Sequence, residues 1–220
     1  MAMSGSDEAV QRAAGVRLYW LPLGAGGHVV RWNGLVYEAV AARWGHRTSN
    51  DLYHSALEVL LGRSRWVIEM APAWSGESTE RGVVRVGPVG LPLLGASALF
   101  RYEVRCWRGG VIPDADEAVD SPVLLSDDAT RARRVLGLVP QVPALTWGRD
   151  QLGAGDMWNS NSLISWLLAR SDHAVADIAP PPNGRAPGWR AGLALAAQQA
   201  GEGPAEGSPD GRARGTGSLV

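Results

Sequence analysis

The sequence predicts an α+β fold in which an antiparallel β-sheet packs against helices. Two stretches, 52–60 and 65–70, carry the branched and aromatic residues of strands and are joined by a glycine turn, as in a β-hairpin. Between Leu163 and Leu168, apolar residues recur with the spacing of one buried helical face. The chain has 220 residues, 45% of them hydrophobic, which is enough for one sizeable core and favours a single folded domain.

The composition argues against several classes of function. All 21 basic residues are arginine, and 22 acidic residues leave a net charge of -1, whereas proteins that bind nucleic acid usually carry a basic excess. The absence of lysine excludes Schiff-base chemistry and a Walker-type phosphate loop. The single cysteine, Cys106, excludes an intramolecular disulfide and a multi-cysteine metal site. We therefore expect a protein of the reducing cytoplasm, with no bound cofactor and no nucleic-acid partner, and the arginine-, alanine- and glycine-rich composition is typical of high-GC bacteria.

The ends of the chain differ from its middle. Residues 1–15 carry acids where a signal peptide needs basic residues, and no apolar run approaches the about 18 residues that cross a bilayer. Residues 179–220 are rich in proline and glycine and predict a linker followed by a largely disordered tail. Within them, 189–199 is either a short helix docked on the body or a frayed one. The folded domain is accordingly predicted over residues 16–178.

The elements of this domain are predicted in order along the chain. A strand begins at Val16, the glycine-rich 24–28 is a turn bearing a surface His28, and Asn33 caps a helix that runs to about Trp44. Further strands follow the hairpin at 83–90 and 98–107. Ser126 with the next two aspartates opens a helix that ends at about Leu138.

The hairpin carries the first pair of candidate site residues. The first strand runs from Leu52 to about Leu60, the turn is at 62–64, and the second strand runs from Arg65 to Met70, before Pro72. With a strand period of two, His54 and Glu69 lie beside or diagonal to each other if both point to the same side. An imidazole oriented by a carboxylate is the base half of a catalytic triad. The alternative is a core histidine bonded to a glutamate.

The second candidate stretch is NSNSLISWLL, which begins at Asn159. Ser160 precedes the apolar stripe by three and four residues, so its hydroxyl is expected to project inward from the first turn of the helix. The backbone amide of Ser160, with Asn159 or Asn161 as a side-chain donor, could stabilise an oxyanion. The alternative is that Asn159 or Ser160 simply caps the helix.

Taken together, HSALEV, WVIEMAP and NSNSLI resemble motifs of the circularly permuted papain-like proteins, the NlpC-type superfamily that includes lecithin:retinol acyltransferase. The resemblance covers about a fifth of the chain and implies a permuted papain-like fold. It implies His54 as the catalytic base and Ser160 in place of the nucleophilic cysteine. Glu69 stands where the animal members have a second histidine. Both departures are consistent with Ser-His-Glu chemistry, because a serine hydroxyl needs a well-oriented base.

Two functions are therefore expected from the sequence. The first is a serine-dependent hydrolase or acyltransferase acting on an amide, ester or thioester of an unidentified small molecule or peptide. The second is a catalytically inactive papain-like domain that serves as a binding or interaction module, since replacement of cysteine by serine is also a common route to loss of activity.

Overall fold

The computed structural model describes residues 14–23, 52–73, 82–96 and 100–201. Its centre is a six-stranded antiparallel sheet with the strand order β4-β5-β3-β2-β1-β6. The strands are β1 (Ala14–Pro22), β2 (Tyr53–Leu61), β3 (Ser64–Pro72), β4 (Val83–Pro88), β5 (Arg101–Arg108) and β6 (Val123–Ser126). The α+β class with an antiparallel sheet is thus confirmed.

Three helices follow the strands: α1 (Ala129–Leu138), α2 (Ser160–Arg170) and α3 (Trp189–Gly201). Short 3-10 turns lie at Pro92–Ala96, Ala115–Glu117, Val139–Gln141 and Val175–Asp177. Helix α1 begins where the sequence predicts it, because the Asp128 carboxylate accepts a hydrogen bond from the backbone N–H of Thr130.

The two faces of the sheet are covered differently. Alternate residues of the central strands, such as Leu18, Leu57 and Ile68, join Leu163 and Leu167 of α2 in the main core. The intervening residues face the other side, where a smaller apolar cluster contains Leu21, Ala56, Val67 and Ile112. Any side chain on the hairpin therefore lies either under helix α2 or on the opposite face.

The hairpin matches the prediction closely, with its turn at Gly62 and Arg63. The strand from Val16 and the strands near 83 and 98 are also present, as β1, β4 and β5. Strand β6 was not predicted. The predicted turn at 24–28 with His28 and the predicted helix from Asn33 to about Trp44 lie outside the described residues, as do residues 1–13 and 202–220.

The segment predicted as a linker, 179–187, is bonded into the body of the fold. The carbonyl oxygen of Arg185 accepts a hydrogen bond from the backbone N–H of Tyr53, at 2.9 Å, and the carbonyl of Pro187 accepts from α2 side chains. Helix α3 packs directly on α2, with Gly192 against the backbone of Ser162. The folded body thus extends past the predicted boundary at residue 178, to Gly201.

Candidate functional site

The first turn of α2 is held by a capping box. The Asn159 carboxamide oxygen accepts from the backbone N–H groups of Asn161 and Ser162, and the Ser162 hydroxyl accepts from the backbone N–H of Asn159 at 3.0 Å. The other end of the Asn159 amide donates to the carbonyl of Pro187 at 2.8 Å. Asn159 therefore caps the helix, the role that the sequence left as its alternative.

Asn161 ties α2 to the sheet and to the approach to α3. Its Nδ2 donates to the carbonyls of Tyr53, at 2.9 Å, and Pro187, at 2.8 Å. Its Oδ1 accepts from the hydroxyl of Ser55 at 2.8 Å. Both polar atoms of the Asn161 amide are thus engaged, and Asn161 is only 2% exposed. The amide is a structural bridge, and an oxyanion could gain its Nδ2 as a donor only by breaking these bonds.

Ser160 is the first residue of α2 and is 4% exposed. As the sequence predicts, it points inward at the start of a helix. Its hydroxyl makes no hydrogen bond within the described parts of the chain. By contrast, the hydroxyls of Ser162 and Ser165 donate to backbone carbonyls at the start of α3. A buried hydroxyl without a base beside it has no means of losing its proton.

His54 lies on the face of the sheet that turns away from α2. Its neighbour Ser55 bonds Asn161 of α2, so strand alternation sends His54 to the other side. There it stands opposite Leu21 of β1, which with Ala56 belongs to the smaller apolar cluster. Burial lowers the pKa of His54 to about 4, so the ring is neutral at physiological pH.

Glu69 shares the face of His54, which the sequence had left open, but its carboxylate is directed to an arginine. Glu69 stands opposite Arg105 of β5, and its Oε1 lies 3.3 Å from Arg105 Nη1. The same guanidinium donates to Oε2 of Glu103 through Nε and Nη2. All three side chains are buried, which makes this a buried ion cluster and not a carboxylate that orients an imidazole.

The structure therefore does not bring the three predicted catalytic side chains together. His54 and Glu69 are on one face of the sheet, whereas Ser160 belongs to the helix packed on the other. No hydrogen bond joins Ser160 to His54, or His54 to Glu69, among the described residues. The physical reason is that strand alternation shows which residues share a face but not which face the helices cover.

Asp156, a loop residue shortly before α2, links this region to the start of α3. The Asp156 carboxylate accepts from the backbone N–H groups of Gly188, at 2.8 Å, and Arg190, at 3.2 Å, and so caps α3 from a distance. Asp156 and Arg190, with Arg185, line a shallow pocket of about 170 Å³. Since a carboxylate of the chain already occupies the N-terminus of α3, this pocket is not an open anion site. No local sequence signal pairs residues so distant in the chain.

No family model, curated protein or solved structure matches the chain. Within the described ranges, no group of three or more histidine, cysteine, aspartate or glutamate side chains is placed to hold a metal ion. In the same ranges, every helix falls short of the length and apolarity needed to span a membrane. Cys106 is half-buried against the core, and burial raises the pKa of its thiol to about 11, as suits a core residue.

The lowered pKa of His54 makes stability dependent on pH. Its folded pKa, about 4, is below the ordinary 6.5, so the unfolded chain binds the extra proton between these values. The stabilisation is fully present above pH 6.5 and is lost as the pH falls toward 4. Between pH 7 and pH 5 we expect the wild type to lose up to about 2 kcal/mol more unfolding free energy than His54→Gln.

Urea titrations followed by tryptophan fluorescence at the two pH values measure this difference. His173, whose pKa burial also lowers, is present in both proteins and cancels in the comparison. Equal losses in the wild type and the variant would mean that His54 titrates normally.

Proposed function

We propose that this protein is a non-catalytic binding module, the second of the two functions expected from the sequence. The observation that carries the proposal is the separation of Ser160 and His54 onto opposite sides of the sheet. Serine attack on a carbonyl requires a base within about 3 Å of the hydroxyl, or one water away. Without that pairing, Ser160 is an ordinary buried hydroxyl at a helix start.

The hydrogen bonds of the neighbouring asparagines support the same conclusion. An oxyanion hole needs donors that are free to face the developing charge. The Asn159 Nδ2 donates to the carbonyl of Pro187, and the Asn161 Nδ2 donates to the carbonyls of both Pro187 and Tyr53, which leaves Asn161 no N–H for an oxyanion. The polar character of NSNS is thereby explained by capping and by bridging between elements.

We also propose that the fold derives from a permuted papain-like ancestor. It is supported by the order of the motifs, with the His54 hairpin before the Ser160 helix, and by the packing of that helix on the β2–β3 pair. In this proposal the helix and the hairpin persist from an enzymatic ancestor, whereas the catalytic pairing does not.

One observation favours the hydrolase as a second candidate. The Ser160 hydroxyl has no hydrogen-bond partner in the described parts of the chain, although every other serine near the start of α2 has one. A hydroxyl that is not tied to a backbone carbonyl is available to a base, as a nucleophilic serine must be. Ser160 is therefore the residue whose reactivity distinguishes the two functions.

Treatment with a fluorophosphonate separates them. We expect no covalent adduct on Ser160 after prolonged incubation of the folded protein, measured by intact mass and peptide mapping. Ser160→Ala serves as the matched control for labelling elsewhere. An adduct on Ser160 that is lost in His54→Gln would establish that His54 activates Ser160 and would overturn the binding-module proposal.

A further inference from the structure

We propose that the outer edge of β6 binds an extended, basic peptide segment of a partner protein as an added strand. This inference rests on the proposed function, because it names the surface through which a non-catalytic module would bind. The strand addition supplies backbone hydrogen bonds, and the flanking acids of this chain select a positively charged segment.

Strand β6 lies at one edge of the sheet. It is the last strand of the sheet and pairs only with β1 among the described residues, through Arg17–Leu124 and Leu18–Val123. On its other side the described chain supplies no strand. Its outward backbone groups are therefore available to a further strand.

Two apolar side chains of β6 are exposed. Leu124 is 60% exposed and Val123 is 37% exposed, although the strand that pairs with β6 has fully buried Val16 and Leu18. Edge strands are usually protected by charged side chains, and none occurs from Val123 to Ser126. The protections present are short length and Pro122, which restrict an added strand to about four residues.

Acidic residues flank β6 on both sides in the sequence. From Asp114 to Asp128 the chain has six acidic residues and no basic one. Asp116, Glu117, Asp120 and Asp127 are exposed, and the described residues provide no ion-pair partner for any of them. An apolar edge framed by carboxylates is complementary to apolar residues framed by arginine or lysine.

The same charges disfavour a second copy of this chain. Antiparallel pairing of β6 with itself around a twofold axis would set Asp127 and Asp128 of each copy beside Asp120 of the other. Like charges at such close range oppose association. A basic partner is not repelled by these carboxylates and is attracted to them instead.

Fluorescence anisotropy with a labelled peptide tests the proposal on the full chain. The probe is Arg-Arg-Thr-Val-Thr-Val-Arg-Arg, and its matched control carries glutamate at the four arginine positions. We expect saturable binding of the basic peptide, weakened by salt, and no binding of the acidic one. Leu124→Arg should weaken binding about tenfold or more, and Asp120→Asn, which suits the left-handed backbone there, about threefold.

The control variant is Leu93→Arg. Leu93 is 90% exposed and follows β4, at the opposite edge of the sheet, so the same substitution there should leave binding unchanged. Equal affinity for both peptides, or wild-type affinity in Leu124→Arg, would overturn the inference. So would a concentration-dependent dimer that Leu124→Arg abolishes, since the edge would then bind a second copy.

The two proposals fail separately. If the basic peptide does not bind and Ser160 is not labelled, the inference about β6 is wrong and the binding-module proposal stands. If Ser160 is labelled through His54, the binding-module proposal is wrong. The peptide measurement still shows independently whether the β6 edge binds a basic strand.

Discussion

Replacing Asn161 by leucine is expected to lower the free energy of unfolding by roughly 3 kcal/mol. Leucine nearly preserves the volume but removes the bridge between α2 and β2. The Ser55 hydroxyl and the Tyr53 carbonyl lose their Asn161 partner in a buried place, at about 1 to 3 kcal/mol each. The carbonyl of Pro187 keeps its bond from Asn159, which limits the total loss. Urea unfolding followed by tryptophan fluorescence measures the change.

The matched comparison uses Ser55→Ala as a second background. Alone it should cost about 1 kcal/mol, and in its presence the cost of Asn161→Leu should fall by a similar amount, because the shared bond is already gone. Strictly additive losses would show that the two side chains do not act together. If Asn161→Leu is as stable as the wild type, Asn161 is not a structural bridge, and its amide is available for another role at the site.

The hairpin shows what strand periodicity can and cannot predict about the candidate site. The pattern put His54 and Glu69 near each other only if both point to the same side, and the structure shows that they do. Yet β2 has apolar or buried residues on both faces, such as Leu57 under the helices and Ala56 opposite them. Periodicity therefore could not show which face the helices cover. The motif resemblance led to the expectation that Ser160 and His54 lie together, whereas the structure separates them.

Other parts depended on contacts between distant residues. Strand β6 has only four residues, which follow Pro122 and end two residues before the cap of α1, so they form no recognisable alternating pattern. Helix α3 could be predicted as docked or frayed but not decided, because its docking depends on Asp156 and on the α2 backbone. By contrast, the start of α1 depends on local residues. The sequence predicted it at Ser126 and the next two aspartates, and Asp128 is the residue that caps the helix.

The docking of α3 on α2 leads to the second large expected effect. Replacing Gly192 by alanine should destabilise the protein by about 2 to 3 kcal/mol, although alanine favours helix by about 1 kcal/mol. A Cβ at this position would lie 2.0 Å from the Ser162 carbonyl oxygen and 2.1 Å from Ser165 Oγ. The hydroxyl can rotate away, but the backbone carbonyl cannot, so the two helices must separate.

Gly137→Ala is the control that isolates this cause. Gly137 lies in α1, where an added Cβ meets no atom within 4 Å, so the same substitution should stabilise the protein by about 0.5 to 1 kcal/mol. Thermal unfolding of the two variants should therefore shift in opposite directions from the wild type. A stabilised Gly192→Ala would mean that α3 sits farther from α2 than this geometry requires, and that the fold could end before α3. A loss confined to Gly192→Ala would instead make the α2–α3 contact an integral part of the body that carries Asn161 and Ser160.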